Sequence, residues 1–166
     1  RRVLFRSKSA NNKNLKIISP KIGDKFNLGN TVCEVMSIDN TADELNLTSI
    51  VIEVTHGENK FLFMGDAEIE NEESRLWDDV DVLKVGHHGS RTSTSEDFIE
   101  QTKPEVAIIS LGKNNSYGHP HKEVKELLEE YDISIYRTDT EGTIHVVSDG
   151  EKYKIDSLDI HLDGDK

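Results

Sequence analysis

The residues best able to do chemistry in this chain fall at three places. Gly65-Asp66 is the first, Gly86-His87-His88-Gly89-Ser90 the second, and the loop from Lys113 to His121, ending Gly118-His119-Pro120-His121, the third. A carboxylate and several imidazoles aimed at one point are the donor set of a zinc, manganese or iron ion. The glycines beside them let the backbone bend where a side chain must be directed. Plainer readings stand beside this one. A Gly-Asp pair after a strand is commonly a turn, and two adjacent histidines can be one buried and one solvated. His119 and His121 flank a helix start, where capping competes with ligation. Asn46 is by itself a turn residue, and the charge run from Glu68 to Glu73 reads as a solvated helix face. His56, His145 and His161 lie near no other candidate and read as structural or exposed.

The elements that must position these groups follow from the apolar pattern. The first third reads as β: "LKIIS" is a short strand, "KIGDKFNLGN" carries turn signals, and "TVCEVMSI" alternates as a half-buried strand. After the polar loop "DNTADELN", "LTSIVIEVTH" and "KFLFM" are joined by "GEN" and read as a β-hairpin. From Lys60 on, strands alternate with helices. "KFLFMGD" leads into a helical "AEIENEESRLW", and "DVLKVGHHGS" into "STSEDFIEQT" with its Ser/Thr start and acidic first turn. "PEVAIISLG" leads into "HPHKEVKELLEEY", where Pro120 suits a first helical position and Val124, Leu127, Leu128 and Tyr131 share a face. "ISIYRT", "GTIHVVS" and "EKYKID" close the chain as short strands. The expected class is α/β: a hairpin, then βαβαβα units in one mixed sheet covered by helices. In open α/β sheets ligands sit beyond the carboxyl ends of the strands. Parallel neighbours would therefore bring Asp66, His87, His88 and the Lys113–His121 loop to one rim, with at least one histidine of the pair as a metal ligand.

Composition narrows the partners. The 166 residues fit one domain, and 20 basic against 32 acidic residues give a net charge of −12. That charge opposes unassisted binding to a nucleic-acid backbone, although bound divalent metal reverses the sign locally. The single cysteine, Cys33, excludes an internal disulfide and a zinc-thiolate cluster, and its alternating neighbours make it an apolar strand residue. No apolar run reaches the roughly 18 residues of a membrane span. Residues 1–7, "RRVLFRS", resemble a translated sequencing adapter, so residues 1–14 are expected to be a non-native or disordered lead-in, 15–158 the domain, and 159–166 a polar tail.

The strings "NLTSIVIEV", "FLFMGDAE", "LKVGHHGSRTSTSEDF", "NNSYGHPH" and "YRTDTEGTI" together resemble the second half of a metallo-β-lactamase-fold hydrolase. The likeness is to the branch found in the C-terminal domain of ComEC-type competence proteins and their stand-alone relatives, over roughly residues 30–150. It implies the C-terminal half of an αββα sandwich. It also implies two divalent ions, zinc first with manganese or iron as alternatives. Asp66 would bridge them, and His87 or His88 would bind one. Asn46 takes a place where other branches carry a metal-binding histidine, which makes it a pocket residue. The family's "HxHxDH" string is not in this sequence, so the expectation is a natural protein with an upstream half that supplies it and a fragment inactive on its own.

The resemblance further implies hydrolysis by a metal-bridging hydroxide between ions about 3.5–4 Å apart. Asp66, His88 and His119 would be catalytic. Ser90, Asn115 and Tyr117, on the same loops, would orient substrate, and His119 would orient it or protonate the leaving oxygen. A phosphodiester is the expected substrate, DNA or a small diester, with a lactone or amide third. The alternative is a non-catalytic half-domain that only binds or supports structure. The compartment stays open, because such domains occur both attached to membrane channels and exported.

Overall fold

A computed structural model describes residues 12, 13, 15 and 18–158. Most of the expected lead-in, the middle of the "LKIIS" strand, and the tail with His161 lie outside them. Nine strands are present among the described residues: β1 Lys25–Leu28, β2 Thr31–Ser37, β3 Val51–His56, β4 Asn59–Phe63, β5 Val82–Lys84, β6 Val106–Ile109, β7 Ser134–Arg137, β8 Thr143–Ser148 and β9 Tyr153–Leu158. The first seven form one sheet in chain order. β1 to β4 are antiparallel, and β4 to β7 are parallel. β8 and β9 form a separate antiparallel pair.

The parallel half follows from its sequence. Strand β6 reads as a continuous apolar run, and β5 as Val82-Leu83 before a half-buried Lys84, because both faces are covered. Their register sets Leu62 beside Leu83, Leu83 beside Ala107, and Ala107 beside Ile135 in one row across the sheet. Two helices close over that face, α2 (Glu96–Thr102) and α3 (Lys122–Glu130). They contribute Phe98, Ile99, Val124 and Leu128 to a core shared with Met64, Leu83, Val85 and Ile109. Each such side chain, fully buried, stabilises by about 1.5–3 kcal/mol. Ser95 caps α2, its hydroxyl accepting from the Phe98 N–H at 3.3 Å, as the Ser/Thr start implied.

On the opposite face the β8–β9 hairpin covers part of the sheet. Tyr153 meets Phe61 edge to face at 6.2 Å, and the His56 ring bonds the Ser148 hydroxyl at 2.9 Å. His56 is thus structural. Near β1, Ile18, Phe26, Ile50 and Ile52 line a hollow of about 490 Å³ on this face among the described residues.

Four expectations need correction. The helix expected over "AEIENEESRLW" is confined to α1, Ile69–Glu72. Trp77 is drawn into the core against Phe98, and its indole N–H donates to the Glu72 carbonyl at 2.6 Å, so the chain turns out of the helix. The Glu68–Glu73 run is not one solvated face, because Glu72 is 2% exposed while Glu70 and Glu73 face solvent. Pro120 precedes α3 rather than opening it, and His121 is the N-cap residue. Finally, "KFNL", inside the stretch read for its turn signals, is the edge strand β1. The short helix α4 (Thr138–Glu141) follows β7, where Arg137 pairs with Asp139 at 2.6 Å.

Candidate metal centre

The parallel order brings the three expected segments to one rim. β4 ends in Gly65-Asp66, β5 in the tight turn Gly86–Gly89, and β6 in the loop that runs to His121. The turn is unusual in its backbone. His87 and His88 both take left-handed conformations, with φ of 42° and 56°. Two consecutive non-glycine residues in that region cost roughly 1–2 kcal/mol each. The conformation is fixed from several sides. The His87 N–H donates to the Gly65 carbonyl at 3.0 Å, the Ser90 N–H to the His87 carbonyl at 3.0 Å, and the His121 N–H to the Gly89 carbonyl at 2.9 Å. Two glycines make the close approach possible. A Cβ at Gly86 would lie 2.8 Å from the Ala67 carbonyl oxygen, and one at Gly89 would lie 2.7 Å from Pro120 Cβ.

The turn sends its two imidazoles into different surroundings. His87 Nδ1 lies 3.0 Å from Glu68 Oε1 and 3.3 Å from the Thr92 hydroxyl. The same Glu68 oxygen accepts from Asn46 Nδ2 at 3.0 Å and from Thr92 Oγ1 at 3.1 Å. Asn46 Nδ2 also lies 3.5 Å from His87 Nε2. Both nitrogens of His87 therefore have protein neighbours.

His88 is held differently. Its Nδ1 donates to the Ser110 carbonyl, which places the proton of the neutral ring on Nδ1 and leaves Nε2 as a lone-pair donor. Nε2 stands 3.3 Å from Asp66 Oδ1. Two lone-pair donors facing each other at that distance repel unless a cation or proton lies between them. Ligands about 2.0–2.1 Å from one tetrahedral ion stand about 3.3 Å apart, so the pair fits one metal. An imidazole whose second nitrogen donates to a backbone carbonyl is the usual support for a metal-bound histidine. Both side chains are nearly half exposed, at 45% and 47%, which leaves room for further ligands. No third histidine, cysteine or acidic residue completes a cluster among the described residues.

The remaining candidates lie around this pair. Asn115 grips the third segment, its Oδ1 accepting from the His119 N–H and its Nδ2 donating to the His119 carbonyl, both at 2.9 Å. Tyr117 stacks on His119 at 5.8 Å, and His119 meets His121 at 4.8 Å and His87 at 5.7 Å. Burial pushes the His119 imidazole down, and the neighbouring His121, His87 and His88 push it further the same way. His121 does not cap α3 with its side chain; its Nδ1 accepts from the Arg91 N–H at 3.0 Å. Ser90 is buried, with its hydroxyl 3.1 Å from that of Thr92, so it is not on the open rim. Asn46 stands with Glu68 on the His87 side.

Sequence reasoning missed Glu68, Thr92 and Lys84. The position of Glu68 in "GDAE", two residues past the candidate ligand Asp66, was the available signal. Lys84 lies inside an apolar strand, donates from Nζ to the Val85 carbonyl at 2.7 Å, and is pushed down by burial against the opposing pull of Asp66.

Comparison with known proteins places the chain among similar sequences. Residues 38–113 match the family model of the Metallo-beta-lactamase superfamily. The chain is 47% identical over 103 residues to ComE operon protein 3 of Bacillus subtilis, and 46% identical over 103 residues to Recombination protein 2 of Haemophilus influenzae. It is 37% identical over 106 residues to competence protein ComA of Neisseria gonorrhoeae. These matches take in 60%, 61% and 60% of this chain but 13%, 13% and 15% of the relatives, so the chain spans a small part of their length. No helix among the described residues is long and apolar enough to cross a membrane.

Proposed function

We propose that this metallo-β-lactamase-like chain forms part of a metal-dependent phosphodiesterase in which His88 Nε2 and Asp66 are metal ligands and His87 is not. The observation that carries the reading is the 3.3 Å approach of His88 Nε2 to Asp66 Oδ1, with Nδ1 committed to the Ser110 carbonyl. Divalent ions held there, zinc first, would supply a water ionised near neutral pH and neutralise charge on a phosphoryl oxygen. The chain's own residues do the rest. Ser110 holds the tautomer of His88, Glu68 holds the turn from the other side, and Asn115 fixes the backbone of His119. A neutral His119, favoured by its burial and its imidazole neighbours, suits orienting a substrate oxygen better than donating a proton to it. A DNA diester is favoured over a small one because relatives carry the names competence protein and recombination protein.

The test is metal content and bis(p-nitrophenyl) phosphate hydrolysis on this chain and on the full-length product of its gene. About two metals and turnover in the full-length product are expected. A full-length product that is metal-free and inert would overturn the reading. That result would favour a binding module, which is the reading suggested by the lack of a third ligating side chain among the described residues.

A further inference from the structure

Beside His88 the rim holds a hollow of about 190 Å³, lined by His88, Leu111, Gly112, Asn115, Tyr117 and His119. It is smaller than the roughly 300 Å³ at which drug-sized pockets begin, a size suited to one planar ring rather than an extended ligand. Its wall includes the stacked pair Tyr117 and His119, with rings 5.8 Å apart and 23° from parallel. Tyr117 is nevertheless 78% exposed. One face of the phenol is covered by the imidazole, and the other is open. The backbone of His119 is fixed by Asn115, and its ring backs one face of the phenol, so Tyr117 offers its other face as a stacking surface.

The geometry points to a base-binding subsite: Tyr117 stacks an unpaired nucleobase that enters the hollow while its phosphodiester lies at His88 and Asp66. This rests on the phosphodiesterase reading and narrows it to nucleotide diesters. The charge of the chain supports the same choice. At −12, the protein is poorly suited to a long run of phosphate contacts. Stacking on an aromatic ring requires no cationic groove and accepts every base, because each has a π face. A duplex hides those faces, so the subsite takes a base that is already unstacked. A cell-wall diester offers no flat ring to it.

The test uses the full-length gene product in EDTA and a short single-stranded oligodeoxynucleotide carrying a fluorescent purine analogue. The same strand with an abasic site at that position is the comparison. Wild type and Tyr117→Phe are expected to quench the analogue and to bind it on the order of tenfold more tightly than the abasic strand. Tyr117→Ala should lose both the quenching and the preference; the residue is mostly exposed, so its removal leaves the core untouched. Equal binding of both strands by wild type would overturn the proposal. So would a loss in Tyr117→Phe as large as in Tyr117→Ala, which would assign the effect to the hydroxyl. Hydrolysis of bis(p-nitrophenyl) phosphate by wild type, run in parallel with metal, separates the two readings. Turnover without base preference sinks only the subsite, and base preference without turnover sinks only the hydrolase.

Discussion

The two flanks of the Gly86–Gly89 turn are built from the same residue type and end differently. On the His87 side, Glu68, Asn46 and Thr92 close around the imidazole, and one carboxylate oxygen takes three partners. On the His88 side, the ring has one backbone partner and one unsatisfied approach to a carboxylate that is nearly half exposed. Adjacent residues of one kind thus divide the work: a network whose members satisfy one another stabilises a fold, and donors left facing one another are available to a ligand. The contrast separates a histidine held within a network from one whose second nitrogen faces a carboxylate.

The largest expected effect would break the comparison outright if it went the wrong way. His88→Ala or Asp66→Ala should lower activity of the full-length protein by about a hundredfold or more, since each removes a ligand to ions that contribute several kcal/mol. Metal content should fall, while the denaturant stability of the protein in EDTA should change by less than about 1 kcal/mol because both side chains are nearly half exposed. If His87→Ala loses the metal and His88→Ala keeps it, the assignment of the two flanks is reversed.

The next effect is on folding. His87→Ala should keep its metal and lose about 1–3 kcal/mol of unfolding free energy, the cost of taking one member from a partly buried network. His87→Gly sharpens the point. Glycine normally destabilises relative to alanine, yet at φ 42° it relieves left-handed strain. His87→Gly should therefore be more stable than His87→Ala by about 1 kcal/mol, measured by urea unfolding. The opposite order would mean that the turn relaxes once the imidazole is gone.

The smallest effect lies just behind the His87 flank. Glu72 accepts from the Thr94 and Ser95 N–H groups at 2.6 and 2.8 Å, but burial outweighs them and pushes its carboxyl up. A raised folded pKa means that the native state binds the proton more tightly. The contribution of Glu72 to stability is then fullest in acid and is lost as pH rises through that raised value. The stability of wild type relative to Glu72→Gln should decline from pH 4 toward pH 7, read from urea midpoints. A rising difference would show that the two backbone donors dominate.

The rim was legible in the sequence because its signals are local. Apolar runs ending in glycine beside Asp66, His87 and the Lys113–His121 loop mark strand ends, and alternation with helices implies parallel order. The inward side of α1 was not legible. Nothing in "EIENEE" says that Glu72 is buried while Glu70 and Glu73 face water; that depends on Trp77 packing against Phe98 and on the Thr94 and Ser95 amides arriving from a distant turn. The role of His121 was hidden for the same reason, since its partner Arg91 is 30 residues away. Which histidine of the pair faces Asp66 depends on backbone angles that residue type does not reveal.

The contact between Gly89 and Pro120 has a mechanical consequence. There is no space there for even one methyl group, and the same two segments are tied by the His121 N–H on the Gly89 carbonyl. The loop carrying Tyr117 and His119 and the turn carrying His88 are therefore geared together. A force on one is transmitted to the other as by a touching cog, without slack between them. Any displacement of Pro120 toward the turn must carry Gly89 with it, so the two segments share one coordinate.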